Sequence, residues 1–161
     1  MLLVQITKRP DGGCVLRCVR ADGSATWQKQ DRHAAFFVRH DLTHFAVEST
    51  MGFHSGFFGL IAQGWEIEDT TGKGTRGALP GEAAEVEYMV GSLDSERASG
   101  AIMTAEDYNA LARVHLESAG LVAPRTLTDD DLWRVRSRRG ELFSQWDALA
   151  PGATLELRFD A

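Results

Sequence analysis

Thr154-Leu155-Glu156-Leu157-Arg158-Phe159, just behind the breaker pair Pro151-Gly152, decides how the two ends of this chain relate. Apolar and polar side chains alternate there with a period of two, the pattern of a strand that buries one face. Such a strand needs partners, and the matching pattern lies at the other end of the chain. Leu2 to Thr7 alternates in the same way, Cys14 to Val19 makes a second run, and Ala25 to Gln30 a third that carries Trp27. Between them, Arg9-Pro10-Asp11-Gly12-Gly13 and Ala21-Asp22-Gly23-Ser24 are turn signals, and Asp-Gly suits the positive φ of a tight hairpin. The first thirty residues therefore predict a β-meander, and Thr154 to Phe159 its fourth strand.

The middle of the chain reads as helix. His40 to Met51 is a candidate helix ended by Gly52. Ser55 to about Trp65 is a second, apolar nearly all round, with Gly56, Gly59 and Gly64 leaving room for a close neighbour. Glu82 to Glu96 follows Pro80-Gly81 as a third. Thr104 and Thr128 each precede first-turn acids, as N-cap residues do, and open two further helices. The predicted fold is a single α+β domain over residues 1–161: a small antiparallel sheet of about four strands built from both termini, with about five helices packed against or beside it. Trp133, Phe143 and Trp146 are expected in the core. Arg134, Arg136, Arg138 and Arg139 are expected to form a solvated face, and His115 is read as surface or core rather than ligand.

Composition excludes several classes. Hydrophobic residues at 43% and charged residues at 25% are globular proportions, not those of a disordered chain. A formal net charge of -6 argues against a general nucleic-acid binder, whose phosphate contacts need a basic surface. No apolar run approaches the ~20 residues that cross a bilayer, and Met1-Leu2-Leu3-Val4-Gln5 turns polar too soon for a secretory signal. Cys14 and Cys18 would share a strand face about 13 Å apart, beyond disulfide reach. Two free thiols point to a reducing compartment, and the expected location is the cytoplasm. The segment from Thr70 to Gly81, rich in glycine, invites a phosphate-loop reading. That motif requires a glycine where this chain has Ile67, and Ser or Thr where it has Gly74, so the nucleotide reading fails.

The chemical cue is His40-Asp41-Leu42-Thr43-His44. At about 100° per residue, His40, Met51, His44, Glu48 and Asp41 fall within an arc of roughly 100°, while Leu42, Phe45, Ala46 and Ser49 take the other side. Histidines four apart stand one above the other on a helix and can chelate one metal ion. In the related H-E-x-x-H arrangement the intervening glutamate is a general base. Here Asp41, one methylene shorter, is expected to bind the metal, orient a histidine or handle protons, and Glu48 is the second candidate for proton transfer. Glu48 lies about 12 Å along the axis from His40, too far to join the same ion comfortably. An antiparallel helical hairpin centred near Phe53 would bring Glu66 level with His40, so Glu66 is the favoured third ligand. His54 is the alternative.

The His40-Asp41-x-x-His44 run resembles the ligand motif of the coenzyme Q biosynthesis protein 4 family, which implies a bound metal. That family's motif continues with a glutamate twelve residues beyond the second histidine, where this chain has Gly56. The longer run from His40 to Gly64 is similar to a family of small bacterial proteins of uncharacterised function, which implies a soluble bacterial protein. The leading expectation is a metal-dependent hydrolase that holds a divalent metal, zinc by its ligand types, and acts on a small molecule. The rival, from a different class, is a non-catalytic binding or interaction protein whose histidine face is structural or lines a pocket.

Overall fold

In the computed structural model, which describes residues 1–72 and 76–160, the C-terminal alternation is a strand and closes the sheet. The strands β1 (Leu2–Lys8), β2 (Cys14–Arg20), β3 (Ala25–Gln30) and β4 (Thr154–Phe159) are all antiparallel, in the order β3-β2-β1-β4. β4 pairs with β1 from Leu2 opposite Phe159 to Thr7 opposite Thr154, so the two ends of the chain share a ladder. The period-two pattern sets the faces. Leu2, Val4, Ile6, Leu16, Leu157 and Phe159 turn inward and are buried. On the other face Arg17 donates to Gln5 (2.7 Å), and Gln5 donates to Glu156 (2.6 Å), a polar row across three strands.

Between β3 and β4 run α1 (Ala34–Met51), α2 (Phe57–Ala62), a short 3-10 turn at Asp69–Thr71, α3 (Gly81–Ser99), α4 (Ala105–Ser118) and α5 (Asp129–Ala148). The architecture is α+β with helix predominating, as the sequence predicts. Thr104 and Thr128 are the expected N-caps, and Thr128 forms a reciprocal capping box with Asp131. At the other end of α5, the Lys8 ammonium on β1 donates to the carbonyls of Trp146 and Leu149, both at 2.8 Å. This satisfies helix-end acceptors and fastens α5 to the sheet.

There are two apolar cores, and α1 runs between them. One lies against the sheet and includes Leu16, Phe45, Phe58, Trp146 and Phe159. Phe45 meets the rings of Phe58 and Phe159 edge-on, at 5.7 and 6.0 Å between centroids. The other core lies among the helices and includes Val47, Phe53, Val86, Met89, Tyr108 and Leu132. Every residue from Asp41 to Glu48 is consequently buried, polar ones included.

Several expectations need correction. α1 begins at Ala34, six residues before His40, following His33 in the left-handed region (φ 59°). Its first turns leave Phe36 and Phe37 exposed, so they carry no amphipathic signal. Asp41 is thus an interior residue of the helix rather than a first-turn acid. α2 is six residues long, not eleven, because the chain folds tightly onto itself before it: a Cβ on Gly59 would lie 2.2 Å from the His54 carbonyl oxygen. Phe143 and Trp146 pack with the core, but Trp133 is 64% exposed. Arg134 and Arg138 do pair along α5 itself, with Asp130, Asp131 and Glu141. Arg136 and Arg139 instead reach α3: Arg136 clamps Glu96 and donates to the Met103 carbonyl (2.7 Å), and Arg139 donates to the Leu93 carbonyl (2.8 Å).

Both cysteines are free and buried, and burial pushes each thiol up to about 12, which disfavours the thiolate. In the loop after Gly72, Lys73 and Gly74 lie outside the described residues. Arg76 stacks over Trp65 and donates to the Gly64 carbonyl at 2.7 Å. No described helix is long and apolar enough to cross a membrane.

Candidate metal centre

α1 carries His40 and His44 one turn apart, with ring centroids at 4.8 Å and ring planes at 76°. α3 lies against it with Glu87 and Asp94, seven residues apart and so on one helical face. The pairing is antiparallel: His40 Nδ1 meets Asp94 Oδ2 at 2.8 Å, and His44 Nε2 meets Glu87 Oε1 at 3.4 Å. His44 Nδ1 faces Glu48 Oε1 at 3.3 Å. Each histidine therefore turns Nδ1 toward a carboxylate, the arrangement that orients an imidazole and leaves Nε2 to ligate. One ligand atom from each of His40, His44 and Glu87 lies within 4.8 Å of the other two. Small side-chain shifts bring such a trio to the ~2.0–2.2 Å bonds of a divalent ion, so the cluster could hold a metal.

Glu48 is completely buried and fully engaged. Besides facing His44, its carboxylate accepts the backbone N–H groups of Phe58 (3.2 Å) and Gly59 (3.0 Å) at the start of α2. A Cβ on Gly56 would lie 2.6 Å from the Glu48 carboxyl carbon. Position 56, where the resembled motif has its glutamate, is thus open ground that Glu48 fills from α1. Asp41 is held from the sheet: Gln30 Nε2 donates to its Oδ2 at 2.9 Å, while Cys14 donates to the Gln30 side-chain oxygen, also at 2.9 Å. Burial pushes the Asp41 carboxyl up, against the opposing pull of Gln30 and the two histidines. At His44, burial disfavours the imidazolium, but Glu48 and Glu87 outweigh it and push the ring up to about 10. Glu87, reciprocally, is raised by burial and lowered more by His44, ending below the usual carboxylate range.

Of the residues singled out in the sequence, His40, His44, Asp41 and Glu48 do come together. Glu66 does not join them. The short α2 ends before Gly64, whose left-handed backbone (φ 95°) turns the chain toward β2, and Glu66 pairs there with Arg20 at 3.1 Å. Arg20 also donates to the carbonyls of Ile61 (2.8 Å) and Trp65 (2.6 Å), which pins that turn to the sheet. His54 is exposed and does not belong to this group, and its backbone N–H donates to Glu82 (2.6 Å). Sequence reasoning missed Glu87, Asp94 and Gln30. The usable signal was the seven-residue spacing of Glu87 and Asp94 on a helix whose limits were legible.

At His40, His44 and Glu87 opens a cleft of about 620 Å³, within the range of small-molecule sites. Phe37, Phe57, Ile67 and Leu79 form apolar walls, and Gln28, Gln30, Asp41 and Glu68 supply polar groups.

No protein-family model matches this chain. No curated protein and no solved structure matches it significantly either.

The raised His44 value has a consequence for the metal-free fold. Its folded value, about 10, lies above the ordinary 6.5, so the ion-paired imidazolium stabilises fully below pH 6.5 and progressively less as pH rises toward 10. Urea unfolding of metal-free protein should show that decline, and His44→Gln should flatten it. An equal slope in the variant would show that His44 is not the group responsible.

Proposed function

We propose that His40, His44 and Glu87 hold a divalent metal, zinc by the ligand set, and that the protein is a metal-dependent hydrolase acting on a small molecule in the adjoining cleft. The observation that carries the reading is the convergence itself. Two histidines from α1 and a carboxylate from α3 meet at the cleft wall, each histidine backed by a further carboxylate at Nδ1. His₂Glu is the ligand set of catalytic zinc sites that keep a position open. A divalent ion there would supply a Lewis acid and an activated water. Asp41, in the cleft with its carboxyl raised by burial, is poised to take and return a proton. Glu48 is a positioning residue, because His44 and two backbone N–H groups occupy its carboxylate.

A second reading has its own support. Both ring nitrogens of His44 face carboxylates, so without a metal the ring is a satisfied, ion-paired imidazolium, and the cleft belongs to a non-catalytic binding protein.

Metal analysis of protein purified without an affinity tag separates the two. One equivalent of metal is expected, and it should be lost in His40→Ala, His44→Ala and Glu87→Ala. Glu66→Ala and His54→Ala should retain it. Metal-free protein that takes up neither added zinc nor manganese would leave the binding reading in place.

A further inference from the structure

The same cleft has a charge asymmetry that selects its ligand. Asp41, Glu68 and Glu87 line it, and no lysine or arginine is among its described lining residues. Immediately behind the histidines stand two more carboxylates, Glu48 and Asp94. A divalent ion at His40, His44 and Glu87 compensates two of these charges and leaves the cleft acidic. Glu68 sits at the head of the 3-10 turn, exposed, and among the described residues no hydrogen bond or ion pair engages its carboxylate. The rest of the wall is apolar, and Phe37 and Phe57 present aromatic rings, which attract cations as well as apolar surface.

We propose that this cleft takes an organic cation, an amine on an apolar body, with the ammonium directed to Glu68 and Asp41 and the body packed between Phe37, Phe57, Ile67 and Leu79. The ligand class rests on the cleft being the functional site, but not on the metal being bound. An anion meets Asp41, Glu68 and Glu87 with no lysine or arginine among the described lining residues, and the His44 imidazolium is already paired with Glu48 and Glu87, in a recess whose low-dielectric walls strengthen the repulsion. A neutral isostere keeps the apolar contacts and loses the charge pairing. The amine's advantage is carried by charge, so it weakens as salt rises.

Three probes of one shape test this: 4-phenylbutylamine, 4-phenylbutan-1-ol and 4-phenylbutyrate, titrated calorimetrically into the full chain with and without one equivalent of zinc. The amine should bind at least tenfold more tightly than the alcohol in both forms, and in the zinc-free form, where no metal can ligate it, the carboxylate should show no saturable binding. Glu68→Lys, a rim substitution away from the histidines, should remove the amine's advantage, with circular dichroism and zinc stoichiometry unchanged. Carboxylate binding to the zinc-free form as tight as the amine's overturns the proposal, as does amine binding unaffected by Glu68→Lys. Zinc stoichiometry is read separately in the same experiment. Loss of zinc binding with amine selectivity intact sinks only the metal reading, and zinc binding without amine selectivity sinks only this one.

Discussion

A chain lacking residues 154–161 is expected not to fold cooperatively. β4 pairs with β1 from Leu2 to Thr7 on one side, and among the described strands the remaining ladder partner of β1 is β2. Its removal strips ladder bonds from an interior strand and uncovers Leu2, Val4 and Ile6. It also withdraws Leu155, Leu157 and Phe159 from the core, at roughly 1.5–3 kcal/mol each, before lost ring contacts are counted. That sum, about 5–9 kcal/mol, rivals the whole stability of a typical domain. Phe159 packs on Phe45, the residue after His44, so the loss reaches the candidate metal ligands as well. Urea unfolding followed by circular dichroism should give a broad, low-amplitude transition, and the truncated chain should bind no metal. A sharp transition displaced by less than about 1 kcal/mol would show that the C-terminal strand is dispensable.

Glu48→Ala is expected to be the most damaging single substitution near the site. The truncation leaves the imidazolium of His44 without a buried partner and orphans the N–H groups of Phe58 and Gly59. Breaking a buried ion pair by removing one member costs about 3–5 kcal/mol, and each unsatisfied buried group adds its desolvation penalty. For a domain of this size the melting temperature should drop by roughly 10 °C or more. Glu48→Gln keeps an acceptor for a backbone N–H and should fall between wild type and alanine. The protein that remains folded should still take up metal, because Glu87 and the two Nε2 atoms are intact. Loss of metal without loss of stability would instead make Glu48 a direct ligand.

The sheet was legible because its information is local and doubled. Alternation identifies each strand, and the same alternation names the buried face, so Leu155, Leu157 and Phe159 could be assigned inward positions before any partner was known. The caps at Thr104 and Thr128 were legible for a similar reason, since an N-cap acts on residues within its own first turn. Helix limits fared worse where burial was irregular. Ala34 to Arg39 has two exposed phenylalanines and no stripe, and α2 is cut short by a contact between Gly59 and the His54 carbonyl that spacing does not encode.

The chain by itself determined that His40, His44, Asp41 and Glu48 lie on one helical arc, because helical periodicity is a property of consecutive residues. Only the tertiary structure decided what faces that arc. The favoured third ligand, Glu66, depended on α2 being long enough to return past His40; Gly64 and Arg20 turn that segment to the sheet instead. The carboxylate that lies beside the two histidines is instead Glu87, forty-three residues beyond His44, brought there by the packing of α3 on α1. The same packing supplies Asp94 to His40, and the closed sheet supplies Gln30 to Asp41. Contacts of this range follow from how two apolar cores are filled at once, and no short window of sequence records that constraint.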